Sequence, residues 1–383
     1  MIERWIAHVD MDSFYVSVER LKNSSLIGKP MAVGGTGPRA VITSASYEAR
    51  KFGIRSAMPT AQALRLFPGL IMVHPDFSSY GELSRKVFSS LKNICPVVEQ
   101  VSVDEAYLDF TGCERLYKSR EASAEKVKAK VTEATGLKCT VAIGTNKLVT
   151  KIGSDLAKPD GLLVIPSGDE EKLLRPLSIR KIPGMGPKTS LNFEYRGIMT
   201  CGDLADFNTS ELKKLFGDHA LYFQRCAKGI SDSPVSTDGE RKSLSVEETF
   251  DVDIGDFEVL RECTRRMSEE LATGLRDEGL TARTIQIKIR YGDFSTLVRA
   301  ETLSQPTSMA KILFQTALHL LTKNKDPNLK LRLFGMSVRN FVAKENKIEQ
   351  FDLFESPQKR IKEEKIEAIK DELKKKFGEK ILR

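Results

Sequence analysis

Two adjacent carboxylates, Asp104 and Glu105, interrupt a run of strand-forming residues in the segment SVDEAYLDF. Strand-like runs flank them, Val97 to Val103 before and Ala106 to Phe110 after, and this pattern predicts a hairpin with acids at its tip. Adjacent side chains of a regular strand point to opposite faces, but at a hairpin tip that alternation breaks and both acids can reach one cation. The chain is therefore expected to fold around a strand pair that ends in paired carboxylates.

A third carboxylate, Asp10, lies in the segment IAHVDMDSFY, residues 6 to 15, where it follows an apolar stretch and marks the end of a buried strand. Three carboxylates from two strand ends form an oxygen-rich site of the type that magnesium prefers when it also holds phosphates. That arrangement is typical of two-metal phosphoryl transfer. Acidic residues at strand ends are more often solvated turns, so the carboxylates alone leave both interpretations open.

Composition excludes several classes of protein. A chain of 383 residues is too long for one ordinary core, and two to four domains are expected. The net charge of +8 permits nucleic-acid binding without requiring it. Six scattered cysteines without a CxxC motif argue against a zinc site and a disulfide framework, and indicate reduced thiols in the cytoplasm. No signal peptide and no membrane-spanning apolar run is present, so no membrane partner is expected.

The order of periodic segments predicts the fold class. The first 165 or so residues alternate strand-like and helical runs, which indicates a mixed α/β region, and a helical stretch follows at about 166 to 232. Beyond a polar, turn-rich segment the pattern becomes strand, helix, strand, strand, helix, strand, which predicts a ferredoxin-like split βαβ domain. Within it, residues 283 to 291 alternate, with Ile285 and Ile287 on one face and Lys288 and Arg290 on the other.

Four motifs occur in a fixed order: DMDSFY near the start, ASYEARKFGIRSAMP at 45 to 59, SVDEAYLDF at 102 to 110, and NKLVTKIGSDLAKPDG at 146 to 161. Together they resemble the Y-family DNA polymerases, specifically the DinB-type branch, and the resemblance runs from about Ile6 to Phe354. It implies an α/β and α+β multidomain right hand. A ferredoxin-like palm would comprise 1–12 and 77–165, and small fingers 13–76. A helical thumb with a helix–hairpin–helix would comprise 166–232, a linker 233–243, a ferredoxin-like little finger 244–342, and a tail 343–383.

The resemblance maps Asp10, Asp104 and Glu105 onto the catalytic carboxylates that hold two Mg²⁺ ions, with the backbone carbonyl of Met11 as a further ligand. Asp12 is interpreted as structural. The family places its steric gate against ribose at the second aromatic of the FY pair, here Tyr15, whereas Phe14 is left with mixed roles in core and site. Rings in an amphipathic helix are more commonly core residues.

Triphosphate oxygens need fixed donors and positive charge. Tyr47 and Arg50 lie three residues apart, one helical turn, so hydroxyl and guanidinium can converge on one phosphate. Ser44 would add a hydroxyl donor and Lys158 a point charge near the β- and γ-phosphates. The resemblance also implies that Arg55 to Met58 roof the nascent base pair, where small residues make a loose site and low fidelity. Each basic residue taken alone is more often a surface group.

Two further regions are predicted to contact DNA. KIPGMGPKT at 181 to 189 has the GxG turn of a helix–hairpin–helix, which brings backbone N–H groups to a phosphate, or forms a plain helix cap turn. In the final domain, one sheet face carries basic residues beside what is expected to be a DNA backbone. The candidates in the two regions are Gly184, Gly186 and Lys188, and Lys288, Arg290 and Arg339.

Gln350, Leu353 and Phe354 form the pentapeptide QFDLF, which resembles the β sliding clamp-binding motif of bacterial replication proteins. The glutamine would form hydrogen bonds, and the two apolar side chains would enter a pocket on the clamp. In the family this motif usually lies at the extreme C-terminus, whereas about thirty residues follow it here. The sequence leaves open whether docking is unobstructed.

We therefore predict a monomeric, cytoplasmic, Mg²⁺-dependent DNA polymerase that extends primers across damaged template with dNTPs, using two-metal phosphoryl transfer. Its partners would be primer-template DNA and the β sliding clamp. One rival is a catalytically silent DNA-binding or scaffold paralogue, which should have lost its carboxylates. The other is a template-restricted nucleotidyl transferase, and no insertion typical of such enzymes is present in the sequence.

Overall fold

The computed structural model describes residues 3–237, 239, 241–343 and 376. These residues form two compact units. Unit 1 holds the described residues up to Thr36 and from Ala40 to Gly239, and unit 2 holds Gly37–Arg39 with the described residues after Gly239. The boundary falls within the segment 233–243 that the sequence predicts as a linker. No helix in the described part of the chain has the length and apolarity needed to cross a membrane.

Unit 1 alternates strands and helices over its first two thirds and is helical afterwards. Its strands are β1 Ile6–Met11, β2 Met31–Gly34, β3 Ile42–Ala45, β4 Ile71–Val73, β5 Val97–Gln100, β6 Glu105–Asp109, β7 Cys139–Gly144 and β8 Leu162–Val164. Its α-helices are α1 Phe14–Lys22, α2 Tyr47–Arg50, α3 Thr60–Leu66, α4 Phe77–Lys92, α5 Glu114–Tyr117, α6 Arg120–Thr135, α7 Lys147–Ala157, α8 Glu170–Leu174, α9 Pro187–Glu194, α10 Cys201–Asp206, α11 Thr209–Phe216 and α12 His219–Ala227.

The larger sheet of unit 1 has the strand order β5-β6-β1-β7-β8. Neighbouring strands are antiparallel except β7 and β8, which are parallel. Side chains of β1 alternate between the two faces. Ala7, Val9 and Met11 join the core that the helices α4 and α6 cover, because those helices present apolar stripes to this face.

The opposite face of the same sheet carries polar side chains beneath helix α7. Asn146 caps this helix by accepting the backbone N–H of Val149, which starts it directly after β7. Gly153 permits a close approach, because a Cβ there would lie 3.1 Å from the Cβ of Ala142. Helix α7 therefore lies against the face to which the even-numbered residues of β1 point, and Asp10 is one of them.

The smaller sheet of unit 1 has the order β3-β2-β4 and its own apolar core. The helical part, from α8 to α12, packs around a separate cluster that includes Phe193 and Phe223. That cluster also contains Val149 and Ile152 of α7. Helix α7 therefore joins the larger sheet to the helical part through shared apolar packing.

Unit 2 contains one four-stranded antiparallel sheet and two helices. Its elements are β9 Ser243–Ile254, α13 Phe257–Asp277, β10 Leu280–Tyr291, β11 Thr296–Thr307, α14 Ala310–Asn324 and β12 Leu331–Ala343. The strand order is β11-β10-β12-β9, and the element order is the split βαβ pattern that the sequence predicts. Ile285, Ile287 and Ile289 are fully buried, so the alternation predicted for 283–291 is confirmed.

Two predictions of local structure were wrong in detail. The strand predicted from Val97 to Val103 ends at Gln100, because the Ser102 hydroxyl accepts the backbone N–H groups of Asp104 and Glu105 and turns the chain. The short strands β4 and β8 were not predicted, since three-residue runs give little periodicity. The six cysteines are free, as expected.

Candidate active site

Strand pairing brings the three predicted carboxylates to one end of the larger sheet. Asp10 in β1 lies directly opposite Glu105 at the start of β6, so both side chains point to the same face. Asp104 precedes β6, and its backbone carbonyl accepts the N–H of Met11 at 3.0 Å. The hairpin tip and the end of β1 are therefore joined by backbone hydrogen bonds beside the acids.

The turn at Ser102 orients Asp104. The Ser102 hydroxyl donates to Oδ1 of Asp104 at 2.6 Å, and its oxygen accepts the N–H groups of Asp104 and Glu105 at 3.2 and 3.1 Å. One serine thus fixes both the backbone of the tip and the rotamer of the first acid. Asp104 and Glu105 no longer follow strand alternation, as the sequence predicted.

Two lysines from helix α7 and the residue after it face the carboxylates. The Lys158 ammonium lies 2.6 Å from Oδ2 of Asp10. The Lys151 ammonium lies 2.7 Å from Oε1 of Glu105 and 3.4 Å from Oδ2 of Asp10. The positions are seven residues apart, two helical turns, so the same helix face carries both charges.

The electrostatics of the cluster follow from burial. Asp10 is 2% exposed, and burial raises the pKa of its carboxyl against the opposing charge of Lys158. Burial also raises the pKa of Asp104. The negative charge of Asp10 raises it further, whereas the hydrogen bond from Ser102 lowers it. Burial disfavours charged Lys151, but its hydrogen bond to Glu105 and the charges of Asp10 and Asp155 outweigh burial and raise its pKa. The site concentrates negative charge that requires cations.

The donor set fits a hard divalent cation in its chemistry. Carboxylate oxygens and the backbone carbonyl of Met11 are ligands of the kind that Mg²⁺ binds. Within the described residues, no three His, Cys, Asp or Glu side chains are arranged closely enough to hold a metal ion. The ammonium groups of Lys151 and Lys158 lie against the carboxylates of Glu105 and Asp10.

Tyr15 is held rigidly beside this cluster. Its ring stacks on Tyr80, with centroids 4.3 Å apart, and meets the edge of Phe77 at 6.0 Å. The Tyr80 hydroxyl donates to Glu19 at 2.7 Å, which fixes the supporting ring. Burial raises the pKa of Tyr15, and the negative charge of Asp104 adds to this. Phe14 is buried in the core instead, at 3% exposure.

The predicted triphosphate ligands lie mostly on and beside helix α2. The Arg50 guanidinium lies 4.8 Å from the centroid of the Tyr47 ring and donates to the carbonyl of Ala45 at 3.1 Å. Ser44 is buried in β3, and Met58 is half-buried against the core of the smaller sheet. The one-turn spacing brings the Arg50 guanidinium against the Tyr47 ring, whereas the Tyr47 hydroxyl donates to Asp12, and their joint binding of a phosphate stays a prediction.

The predicted helix–hairpin–helix residues form a tight turn before helix α9. Gly184 has φ +86°, a conformation that favours glycine, and its carbonyl accepts the N–H of Gly186 at 3.0 Å. Gly186 precedes Pro187, which begins α9, and the Lys188 side chain is exposed. No side chain caps this helix start and Pro187 has no N–H, so the backbone N–H groups of Lys188 and Thr189 are the ones left for an anion.

The outward face of the sheet in unit 2 carries Lys288, Arg290 and Arg339. Lys288 forms an ion pair with Glu247 at 2.8 Å, since Gly335 between them has no side chain to separate the two. Nε of Arg290 donates to Thr296 at 2.9 Å, and Arg339 is exposed. The predicted clamp-binding residues Gln350, Leu353 and Phe354 lie outside the described residues.

Sequence reasoning missed several residues of the site. Lys151 bridges two of the carboxylates, and its only signal was its two-turn spacing from Lys158. His8 is fully buried two residues before Asp10, and its Nδ1 shares a hydrogen bond with the Ser154 hydroxyl at 2.7 Å. Its Nε2 lies 3.9 Å from Oε2 of Glu105. A histidine in an apolar strand gives no sign of such a neighbour.

Two family models match most of the chain. Residues 9–155 match the impB/mucB/samB family, and residues 241–353 match the impB/mucB/samB family C-terminal domain. The first match spans every predicted carboxylate and ends before Lys158. The second match covers the sheet of unit 2 and extends into the region of the predicted clamp motif.

Curated relatives and a solved structure agree with the family models. A protein named DNA polymerase IV from Dehalococcoides mccartyi (strain CBDB1) is 38% identical over 98% of this chain and 95% of its own length. A protein of the same name from Streptomyces coelicolor is 40% identical over 87% of this chain and 70% of its length. The solved structure titled Y-family DNA polymerase chimera Dbh-Dpo4(243-245)-Dbh superposes with a TM-score of 0.79 at 26% identity, covering 88% of this chain and 99% of the chimera.

Proposed function

The chain belongs to the impB/mucB/samB family of Y-family DNA polymerases, and we propose that it extends primers across damaged template through the carboxylates Asp10, Asp104 and Glu105. It is a DNA-directed DNA polymerase of the DinB type, dependent on a divalent metal. One observation carries the proposal: the pairing of β1 with β6 directs three acids to one sheet end, opposite two lysines.

Two Mg²⁺ ions held by the three carboxylates and the Met11 carbonyl would activate the primer 3′-hydroxyl and neutralise the triphosphate. The carboxylates contribute fixed negative charge in a buried setting, where electrostatic interactions are stronger than in water. Lys151 and Lys158 form ion pairs with Glu105 and Asp10 of this set. Their long side chains allow each ammonium to turn from a carboxylate to a phosphate oxygen.

The incoming dNTP would be bound by Ser44, Tyr47, Arg50 and Lys158 through its phosphates. Arg50 supplies a planar set of donors, and Lys158 supplies a mobile point charge. These are the two common ways in which basic side chains bind phosphate. Tyr15, immobilised by its stacked neighbours, would clash with a 2′-hydroxyl and so exclude ribonucleotides. Ser56 and Ala57 are small and exposed between Arg55 and Met58, and they would leave space above the nascent pair, which predicts low fidelity.

Primer-template DNA would be bound mainly through its backbone. Gly184, Gly186 and Lys188 would contact phosphates with backbone N–H groups and one ammonium. Lys288, Arg290 and Arg339 would add positive charge from the outward sheet face of unit 2. We assign palm, fingers, thumb, linker and little finger to the segments that the sequence predicts, with the linker at 233–243.

We further propose that Gln350, Leu353 and Phe354 bind a β sliding clamp, that the protein is a monomer, and that it acts in the cytoplasm. The motif rests on its sequence alone. Substitution of Leu353 and Phe354 together by alanine should abolish the increase in product length that a loaded clamp causes. Leu329→Ala, which truncates an exposed leucine outside the motif, should keep that increase. Equal stimulation of both variants would refute the clamp site.

Primer extension tests the main proposal. The purified full chain, Mg²⁺ and four dNTPs would be incubated with an undamaged primer-template and with one that carries a single abasic site. Template-directed extension on the first and continuation past the lesion on the second are expected. Binding without addition would support the silent scaffold, and addition of one base regardless of template would support the restricted transferase.

A further inference from the structure

The carboxylate of Asp12 is hydrogen-bonded to three separate parts of unit 1. Its Oδ1 accepts the Tyr47 hydroxyl at 3.1 Å and the Thr140 hydroxyl at 2.9 Å. Its Oδ2 accepts the backbone N–H of Asp160 at 2.8 Å. The residue is 6% exposed, and these donors satisfy a charge that would otherwise be buried unpaired.

Asp12 is itself fixed to the sheet. Its backbone N–H donates to the carbonyl of Lys138 at 3.1 Å, and its own carbonyl accepts the Ser17 hydroxyl at 2.5 Å. The hydroxyl oxygen of Thr140 also accepts the backbone N–H of Gly161 at 3.3 Å, and this hydrogen bond joins β7 directly to the loop after α7. The backbone that carries the carboxylate is therefore hydrogen-bonded through both its N–H and its carbonyl.

Two of the three donors belong to elements that would hold the triphosphate. Tyr47 is one of the proposed ligands, and Asp160 lies two residues after Lys158 in the same loop. The third donor, Thr140, stands opposite Asp10 on the neighbouring strand. A single buried acid thus connects helix α2, the catalytic sheet and the lysine loop.

We propose that Asp12 is a positioning residue for the incoming nucleotide: it holds the loop of Lys158 and the hydroxyl of Tyr47 at a fixed separation before the triphosphate arrives. This rests on the proposed function, because the ligand is taken to be a nucleoside triphosphate. A phenol has one proton to donate, and a phosphate oxygen is only an acceptor. Tyr47 therefore exchanges its bond to Asp12 for one to phosphate on binding, while the bond to Asp160 persists.

The amide of asparagine can reproduce this arrangement, and alanine cannot. In Asp12→Asn the amide oxygen accepts the N–H of Asp160, and the amide nitrogen donates to the hydroxyl oxygens of Tyr47 and Thr140. The Tyr47 proton is then free for phosphate. In Asp12→Ala the loop and the tyrosine lose their common anchor, and hydrogen bonds to a charged group are among the stronger ones in proteins.

Steady-state primer extension at varied dNTP, with full-length variants, tests the inference. Asp12→Ala should raise the KM for dNTP by about 10- to 100-fold with a smaller change in kcat, and Asp12→Asn should stay within about threefold of the wild type. Asp109→Ala is the matched control, since this carboxylate of β6 also accepts a backbone N–H, from Thr111 at 2.9 Å. Its KM should match the wild type.

Titration of a dNTP onto a complex with dideoxy-terminated primer separates binding from chemistry. The Kd values should rank the variants in the same order as the KM values. If Asp12→Ala is too unstable to assay, Asp12→Ser replaces it, because the short hydroxyl cannot reach the loop and Tyr47 together. Adding Tyr47→Phe to the alanine variant should raise KM by less than it does in the wild-type background.

Several results would overturn the inference. An unchanged KM in Asp12→Ala, with lowered kcat or Tm alone, would make the residue merely structural. An asparagine variant as impaired as alanine, with an increased Mg²⁺ requirement, would make Asp12 a metal ligand. Failure of the wild type to extend any primer would instead reject the proposed function, and the inference with it.

Discussion

The sheet end of unit 1 that is proposed to be catalytic and the outward sheet face of unit 2 both carry lysine–carboxylate pairs, but they differ in burial. The side chains of Asp10 and Lys158 are 3% and 23% exposed, whereas those of Lys288 and Glu247 are 28% and 39% exposed, so the carboxylates differ in burial far more than the lysines. A buried pair that loses one partner leaves an uncompensated charge and costs several kcal/mol. An exposed pair contributes about 0–1 kcal/mol and is readily exchanged.

This difference matches what the two regions are proposed to do. A reaction centre needs charges at fixed positions, and buried hydrogen bonds from Ser102 and the paired strands supply that order. A surface that follows a DNA backbone needs positive charge that can exchange one anion for another. We therefore expect large effects from changes to the buried cluster and small, salt-dependent effects from changes to the exposed face.

The largest effect is expected from Asp104→Ala. Loss of one of the three acids should lower the rate of nucleotide addition by roughly a thousand-fold or more, because metal-assisted charge stabilisation contributes several kcal/mol. Glu133→Gln removes a carboxylate that is 68% exposed on helix α6 and should extend primers like the wild type. Single-turnover extension on saturating primer-template measures both. A loss below tenfold for Asp104→Ala would contradict the assignment of the buried cluster.

Tyr15→Ala should give the next effect, on selectivity. Removal of the ring that Tyr80 supports should lower the preference for dNTP over rNTP by about 100-fold, since the clash with the 2′-hydroxyl disappears. Tyr195→Ala truncates a tyrosine that is 84% exposed and should leave the preference unchanged. The ratio of kcat/KM for the two nucleotides is the measurement. An unchanged ratio in Tyr15→Ala would show that a residue other than Tyr15 excludes ribonucleotides.

Gly184→Ala tests the turn before helix α9 with a matched backbone control. Gly184 and Gly168 have φ +86° and +91°, and a Cβ at either position meets no atom closer than 3.8 Å. Replacement of either glycine by alanine should therefore lower the free energy of unfolding by about 1–2 kcal/mol through backbone strain. Only Gly184→Ala should also weaken binding to duplex DNA, by about threefold to tenfold, in fluorescence anisotropy. Equal affinities of the two variants would remove this turn from the DNA interface.

The smallest effect is expected on the exposed face. Glu247→Gln releases Lys288 from its ion pair and should strengthen DNA binding by about twofold to threefold at low salt. Lys288→Ala should weaken binding by a similar factor and reduce the salt slope by about one. Affinity measured from 50 to 200 mM salt distinguishes the two. Unchanged affinity and salt slope in both variants would show that this face does not contact DNA, and would contradict the comparison with the buried cluster.

Much of the fold followed from periodicity. The alternation at 283–291 predicted which side of β10 is buried, because a strand with one solvated face has to alternate. The first helix of the predicted split βαβ pattern is α13, and Asp256 caps that helix as such residues commonly do. The strands β4 and β8 were not predictable, since their pairing with β2 and β7 stabilises runs too short to show a period.

The candidate site was predictable in its residue types and less so in its contacts. The acids and the aromatic pair stand in motifs, so the sequence predicted Asp10, Asp104 and Tyr15 as site residues. Lys151 was missed because a lysine on an amphipathic helix is usually solvated, and only the packing of α7 on the sheet turns it toward Glu105. Asp12 was recognised as structural, but its link between Tyr47 and the loop of Lys158 depends on three segments far apart in sequence.

The sequence by itself determined the order of elements, the domain pattern and the chemistry of the acids, because these depend on local periodicity and on residue type. Tertiary structure alone decided which charges meet. The register of β1 against β6 placed Asp10 opposite Glu105, and the close approach of α7 brought in the two lysines. Register and approach depend on packing between segments that lie from 46 to 141 residues apart in the chain, and no local pattern encodes such packing.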